Sequence, residues 1–444
     1  MNQNRTCVQR VEFYLDQIKA KNKELNIFLE ILQEDALKRA KELDQKQDNR
    51  GKLFGKIVAI KSNIFKEGVV CSCASKTLEN VKAIYSADVV KQIEEEDAII
   101  IGVVNNDEFA QGSTGEHSYF GKTLNPKNTN IIPGGTSSGS AAAVAARMCD
   151  IALGTDTGGS CRNPASHCGV YGLKPSYGRV SRYGVVDSTM SFDQVGVLSN
   201  SVEDMQTTLE VIGVYSENDA TMLQIEPFKS FKEEENKIKK VAILQEVEGL
   251  IVDDEIKQEY KNSIEELQKK GVEIVEKSIE HMTLGVAAYY PIVYTEVFSG
   301  TRKFDGVKYG QNINEVALDE LQLRMKGGEL ITQSEFDGAY YKKALAVREI
   351  LKKEFTEVFN EAQTILLPTT PKLPHSFEEE LTPQEEYAYD AFTVLANLAG
   401  ICSGVVPRVE IETKRGSTPI GIQLMCKIGD EKTLFNAMKL LENK

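Results

Sequence analysis

Three segments near the start of the chain alternate in kind: "GKIVAIKSNIF" reads as a short apolar strand, "ADVVKQIEEE" as a helix and "AIIIGVVN" as a second strand. That alternation commits the chain to an α/β sheet, because continuous apolar strands must be covered on both faces and the intervening helices supply the cover. The rhythm returns later. "KKVAILQEV" and "VEIVEKSI" are strands that flank the helix "DDEIKQEYKNSIEELQKKG", which closes on Gly271. "TILLPTTPKLP" is a buried strand ended by prolines, and "PIGIQLMCK" is a late strand before the helix "EKTLFNAMKLL". The opening stretch from Val8 to about Gln45 repeats apolar residues at helical spacing and predicts two or three helices packed outside the core. The charged stretch Lys229 to Lys237 is expected to be a loop joining two halves. With 444 residues and no internal repeat, one large sheet covered by helices, without a clean domain cut, is the simplest architecture.

Charge narrows the function. Lys and Arg total 52 against 66 Asp and Glu, a formal net charge of −14 that opposes binding to a polyanion. If RNA is involved, a partner should hold it. No apolar run approaches the roughly 20 residues that cross a bilayer, and the opening residues lack a signal peptide's apolar core, so a cytoplasmic protein without membrane contact is expected. The eight cysteines show no C-x-x-C and no paired-histidine spacing, which predicts reduced, mostly buried thiols and no metal centre. Only four histidines are present, so histidine-centred chemistry is disfavoured.

The chemistry concentrates in "PGGTSSGSAAAVAARMCDIALGTDTGGSCRNPASHCGVYGLKP", which begins at Pro133. Its first cluster of glycine and hydroxyls enters a small-residue helix; alone it reads as a phosphate loop or a tight turn. The second cluster follows a strand and can aim the amides of Thr157, Gly158, Gly159 and Ser160 at one point. Amides converging beside a hydroxyl supply a nucleophile and an oxyanion hole, the requirements of acyl transfer. A base must then take the serine proton. His167 lies seven residues beyond Ser160 and is expected to face the core. Lys61, at the end of "KIVAI", serves as base if burial holds it neutral, and is otherwise a solvated lysine.

The motifs "AIKSNI", "PGGTSSGSAAAVAA", "LGTDTGGSCRNPA" and "CGVYGLKPSYGRVSRYGVV" resemble the amidase signature family with its Ser–cis-Ser–Lys triad. The flanking "NNDEFAQGSTGEHSYFGKTLNP", "FDGVKYG", "GAYYKKAL", "ILLPTTP", "FTVLANLAG" and "PIGIQLM" resemble the glutaminase branch that serves tRNA-dependent amidotransferases. The resemblance implies the amidase signature fold, α/β with a large mixed β-sheet core covered by helices on both faces. It also implies a single amidase domain over 1–444, with peripheral N-terminal helices in 1–50, a signature core in 51–200, and the remaining sheet and substrate pocket in 201–444. Carried over, it makes Ser160 the nucleophile, Lys61 the general base and Thr136 the bridging residue, 24 positions before Ser160. Threonine stands where the family has serine, and Ser137 is the alternative relay. Ser62 replaces the family's usual Asp and Cys161 its aliphatic residue. Cys161 raises a cysteine alternative to Ser160, while Asp156 and Arg162 are expected around the turn. For glutamine, Arg324 would pair the α-carboxylate and Asp390 the α-ammonium, with Tyr289, Ser113 and Thr114 as weaker pocket candidates. The branch implies no cofactor in this chain. Partner subunits B and C would receive the ammonia, and ATP and Mg²⁺ in the partner would activate the aminoacyl-tRNA. A stand-alone amidase of small carboxamides and a non-enzymatic anion-binding module are the competing readings.

Overall fold

The computed structural model describes residues 5–231, 238–333 and 337–442, so most of the expected loop Lys229–Lys237 lies outside the described residues. Eleven strands form one mixed sheet. In chain order they are β1 (Phe28–Ile31), β2 (Ile57–Lys61), β3 (Ile99–Val104), β4 (Ile151–Asp156), β5 (Tyr171–Lys174), β6 (Gln194–Ser199), β7 (Lys240–Leu244), β8 (Glu273–Lys277), β9 (Thr364–Pro368), β10 (Cys402–Thr413) and β11 (Gly416–Cys426). Across the sheet the order is β1-β3-β2-β4-β6-β5-β10-β11-β9-β7-β8. Parallel pairing is confined to β3-β2-β4 and to β9-β7-β8, and the strands between them are antiparallel.

The alternation of side chains along a strand separates two apolar cores. Val58 and Ile60 of β2, Ile100 and Val103 of β3, and Ile151 and Leu153 of β4 join the larger core. Ile57, Ala59, Ile99, Ile101 and Ala152 face the opposite core, which also holds Val11, Ile18, Ala36, Ala40 and the small helix Ser138–Ala145. Helices therefore cover both faces of the sheet, as expected. Alanines at positions 141 to 143 are fully buried and bring that helix close to the strands.

The opening segment departs from the helical reading. Helix Cys7–Leu25 stops at Asn26, which takes left-handed backbone with φ 51°, and helix Gln33–Gln45 follows. Between them β1 pairs antiparallel with β3, so this segment contributes a sheet edge as well as cover. Asn22 explains the change of direction: its side-chain oxygen accepts from the amides of Ile27 (3.0 Å) and Phe28 (2.6 Å), offering the backbone an alternative to the next helical turn.

Candidate active site

Lys61 is the last residue of β2, and Thr155 and Asp156 end the adjacent parallel strand β4. Both strands deliver their side chains to the carboxyl end of the sheet, where α/β folds place ligands. Thr136 comes from the loop that precedes helix Ser138–Ala145, and the Gly135–Thr136 peptide is cis. Asp107 supports this loop: its amide donates to the Thr136 carbonyl (3.2 Å), and its carboxylate accepts from the amides of Gly115 and His117. Gly135 is required here, because a Cβ would lie 2.1 Å from Asp107 Oδ2.

The Lys61 amine is fully buried and surrounded by hydroxyls. Nζ lies 2.7 Å from Thr136 Oγ1, 3.1 Å from Ser137 Oγ and 2.9 Å from Thr155 Oγ1. No carboxylate touches it among the described residues, so burial outweighs the more distant acids and lowers its pKa to about 8. The three hydroxyls suit both charge states, since each can accept from the ammonium and one can donate to the amine's lone pair.

Two hydroxyls compete for the relay position. Ser137 Oγ donates to the Thr155 carbonyl (3.0 Å) and accepts from the Thr155 amide (3.3 Å), so its hydrogen is committed to β4. Thr136 Oγ1 bonds only Lys61 among the described residues. Of these two, Thr136 is the one whose hydroxyl hydrogen is not engaged elsewhere among the described residues.

Ser160 lies on the turn after β4, and its carbonyl accepts from the Ser137 amide (3.0 Å), which ties the two glycine-rich segments together. Gly159 adopts φ 142°, a conformation other residues rarely take. Its amide donates to Asp156 Oδ1 (3.0 Å), so of the four amides expected to converge here that of Gly159 is engaged within the turn. The physical reason is Asp156 itself: it also accepts from the Cys161 amide and from Nε and Nη2 of Arg162, and the turn folds around it. Burial alone would raise Asp156, but the Arg162 guanidinium holds it at about 2. Arg162 is fully satisfied by Asp156, the Thr393 carbonyl, Asn397 and Gln423.

Cys161, beside Ser160, is fully buried with Sγ 3.9 Å from Ser137 Oγ. Burial, aided by Asp156, pushes its thiol up to about 12, which favours the protonated thiol at neutral pH. His167 faces the core as expected; burial lowers its pKa to about 3. Ser62 Oγ donates to Asn106 (2.6 Å), away from the Lys61 amine.

Three of the pocket candidates, Tyr289, Arg324 and Asp390, lie on helices Gly285–Thr301 and Asp319–Ile331 and on the turn Ala388–Asp390. Tyr289 packs against the turn that carries Ser160 so closely that a Cβ on Gly158 would lie 2.2 Å from its hydroxyl. Tyr290, next to it, donates to Asp390 Oδ2 (2.7 Å) and lies under the Arg324 guanidinium, 5.6 Å from ring centre. Arg324 is only 4% exposed and pairs with Glu320 (2.6 Å). Burial raises Asp390 to about 7, against the pull of Tyr290 and Arg324. Ser113 and Thr114 are buried behind the Thr136 loop, where the Ser113 carbonyl accepts from Asn163 (3.3 Å). Sequence reading missed Asp107, Thr155, Tyr290 and Glu320. Only Thr155 and Asp107 carried a signal, as polar residues inside or just after otherwise apolar strands.

A family model described as Amidase matches residues 9–435. The A subunit of the glutamyl-tRNA(Gln) amidotransferase of Methanocaldococcus jannaschii is 45% identical over 438 residues, spanning 98% of this chain and 99% of the relative. The protein of the same name from Methanothermobacter thermautotrophicus is 46% identical over 99% of this chain and 96% of its own length. The crystal structure of the A subunit of a glutamyl-tRNA(Gln) amidotransferase from Thermotoga maritima matches with a TM-score of 0.83 at 33% identity, covering 98% of this chain and 92% of that one. A bacterial aryl acylamidase shares the fold, with a TM-score of 0.86 at 18% identity over 98% of this chain and 93% of its own.

Proposed function

The chain belongs to the amidase family, and from that premise we propose that it is the glutamine-hydrolysing A subunit of a glutamyl-tRNA(Gln) amidotransferase. The observation that carries the chemistry is a buried lysine amine held among hydroxyls, 2.7 Å from Thr136. Neutral Lys61 draws a proton through Thr136 from Ser160, whose oxygen attacks the side-chain amide carbon of glutamine. The developing oxyanion rests on the amides of Thr157, Gly158 and Ser160. The same relay returns the proton to the departing nitrogen, ammonia leaves, and water hydrolyses the acyl-serine to glutamate.

Recognition of glutamine follows from charge. Arg324 offers a planar fork to the α-carboxylate, and Asp390, when ionised, accepts from the α-ammonium. The ammonia then serves a partner, with subunits B and C completing the enzyme in the cytoplasm. ATP and Mg²⁺ act there to activate Glu-tRNA(Gln) or Asp-tRNA(Asn). The chain itself has no helix long and apolar enough to cross a membrane among the described residues.

The test is ammonia release from glutamine by the chain alone and with subunits B and C, together with mass spectrometry of acyl-enzyme trapped on Ser160. Release that rises with the partners and is lost in Ser160→Ala, with the fold retained, is the expected result. Hydrolysis of simple amides with glutamine ignored would make the chain a free-standing amidase. Phosphate binding without any acyl intermediate would make it an anion-binding module.

A further inference from the structure

The loop after β3 turns one side chain sharply inward. Phe109 and Ala110 both take left-handed backbone, with φ 49° and 56°, and Gly112 follows at φ 132°. Non-glycine residues adopt such angles at a steric cost and persist there when the surroundings demand it. The residue they deliver is Gln111, 1% exposed. Its Oε1 accepts from Arg324 Nη1 (2.9 Å), and its Nε2 donates to Ser188 Oγ (2.5 Å). Glu320 holds Arg324 Nε (2.6 Å), so two separate nitrogens of the guanidinium are fixed and its plane is set over Tyr290.

The bonding continues to the nucleophile turn. The Ser188 amide donates to Asp193 Oδ2 (2.8 Å), and Asp193 Oδ1 accepts from the hydroxyl of Thr157 (2.7 Å), the first residue of that turn. A neutral amide is well suited to the junction. It orients the guanidinium without neutralising it, whereas a second carboxylate would compete with the substrate for the same charge.

We infer that Gln111 is a positioning residue that sets Arg324 for the substrate's α-carboxylate and thereby selects glutamine over uncharged amides. The inference rests on the glutaminase reading above. Gln111→Met keeps the length of the side chain and removes its hydrogen bonds to Arg324 and Ser188, together with a longer one to the Phe109 carbonyl (3.5 Å). In the assembled enzyme it should raise KM for glutamine about tenfold while kcat changes less than about threefold. KM for butyramide, which lacks both α-substituents, should stay unchanged. In an Arg324→Ala background, Gln111→Met should add no further loss, because it acts through the arginine.

An unchanged glutamine KM, an equal rise for both amides, or a full additional loss without Arg324 would each overturn the inference. If the methionine does not pack, as judged by the unfolding midpoint, Gln111→Glu carries the same test. It keeps an acceptor for Arg324 but adds a charge that competes with the substrate, so glutamine KM rises and butyramide KM does not. A wild-type enzyme that hydrolyses butyramide and ignores glutamine would instead remove the glutaminase reading, and this inference with it.

Discussion

At Lys61 two influences oppose each other: burial favours the neutral amine, while Cys161, Asp107, Asp156 and Asp193 favour the ammonium from a distance. Burial prevails, and the pKa falls from the ordinary 10.5 to about 8. If Lys61 is the base, kcat should climb with pH and level off above an inflection near 8. A flat profile between pH 6 and 9, with the chemical step limiting, would remove the assignment. The stability effect has the same sign. Between about 8 and 10.5 the unfolded chain holds a proton the folded one has released, so this group's contribution to stability rises with pH across that window. The relay has its own test. Thr136→Val should cut turnover by at least about a hundredfold, the scale of a lost proton-transfer partner, while Ser137→Ala should chiefly loosen the turn at Thr155. An active Val variant beside an inactive Ala variant would move the relay to Ser137. The sequence reading put Thr136 first, by its place 24 positions before Ser160, and kept Ser137 as the alternative; the hydrogen bond that engages Ser137 with β4 is something residue order does not encode. Arg324 was found only through resemblance to relatives. Its local wording is unremarkable, and its burial depends on Glu320 and Gln111, the latter 213 positions away in the chain.

Elements that recur every few dozen residues were legible from apolar periodicity, and β2, β3, β4, β7, β8, β9 and β11 fall where the pattern places them. The strand β1 was not legible. "LNIFLEIL" carries helical spacing, and only Asn22 and Asn26 together redirect it to the edge of β3. Strands β6 and β10 also escaped, the first because its residues flank a long loop and the second because its outer half is exposed and weakly patterned. What joins the elements around Ser160 is the pair Asp156–Arg162, with both side chains fully buried. It ties β4 and helix Arg162–Cys168 to helix Val394–Ala399 and β11. Asp156→Asn should lower unfolding free energy by about 3–5 kcal/mol, since it strands a buried guanidinium that has no route to water. Denaturant titration checks this; a loss below about 1 kcal/mol would mean that Asn397 and Gln423 suffice.

The whole molecule carries a net charge of −14, and a phosphate backbone would meet net repulsion over its surface. The isolated chain should therefore show no retardation of tRNA in a gel-shift assay at physiological salt, while the assembly with subunits B and C should. Tight, salt-sensitive tRNA binding by the chain alone would contradict the division of labour proposed above. Within the fold, the residues assigned to bond breaking come from β2, the Thr136 loop and the turn after β4, whereas Arg324 and Asp390 arrive from helices and a turn beyond residue 280. The two sets are linked through Tyr289 on Gly158 and through the bonds from Thr157 to Arg324, but are encoded about a hundred and sixty positions apart, from Ser160 to Arg324. Directed evolution can exploit that separation: a library restricted to 290–330 and 387–392, which spares Tyr289, Thr393 and Asn397, would vary which amide is accepted while leaving Lys61, Thr136, Ser160 and the supports of their turn unchanged.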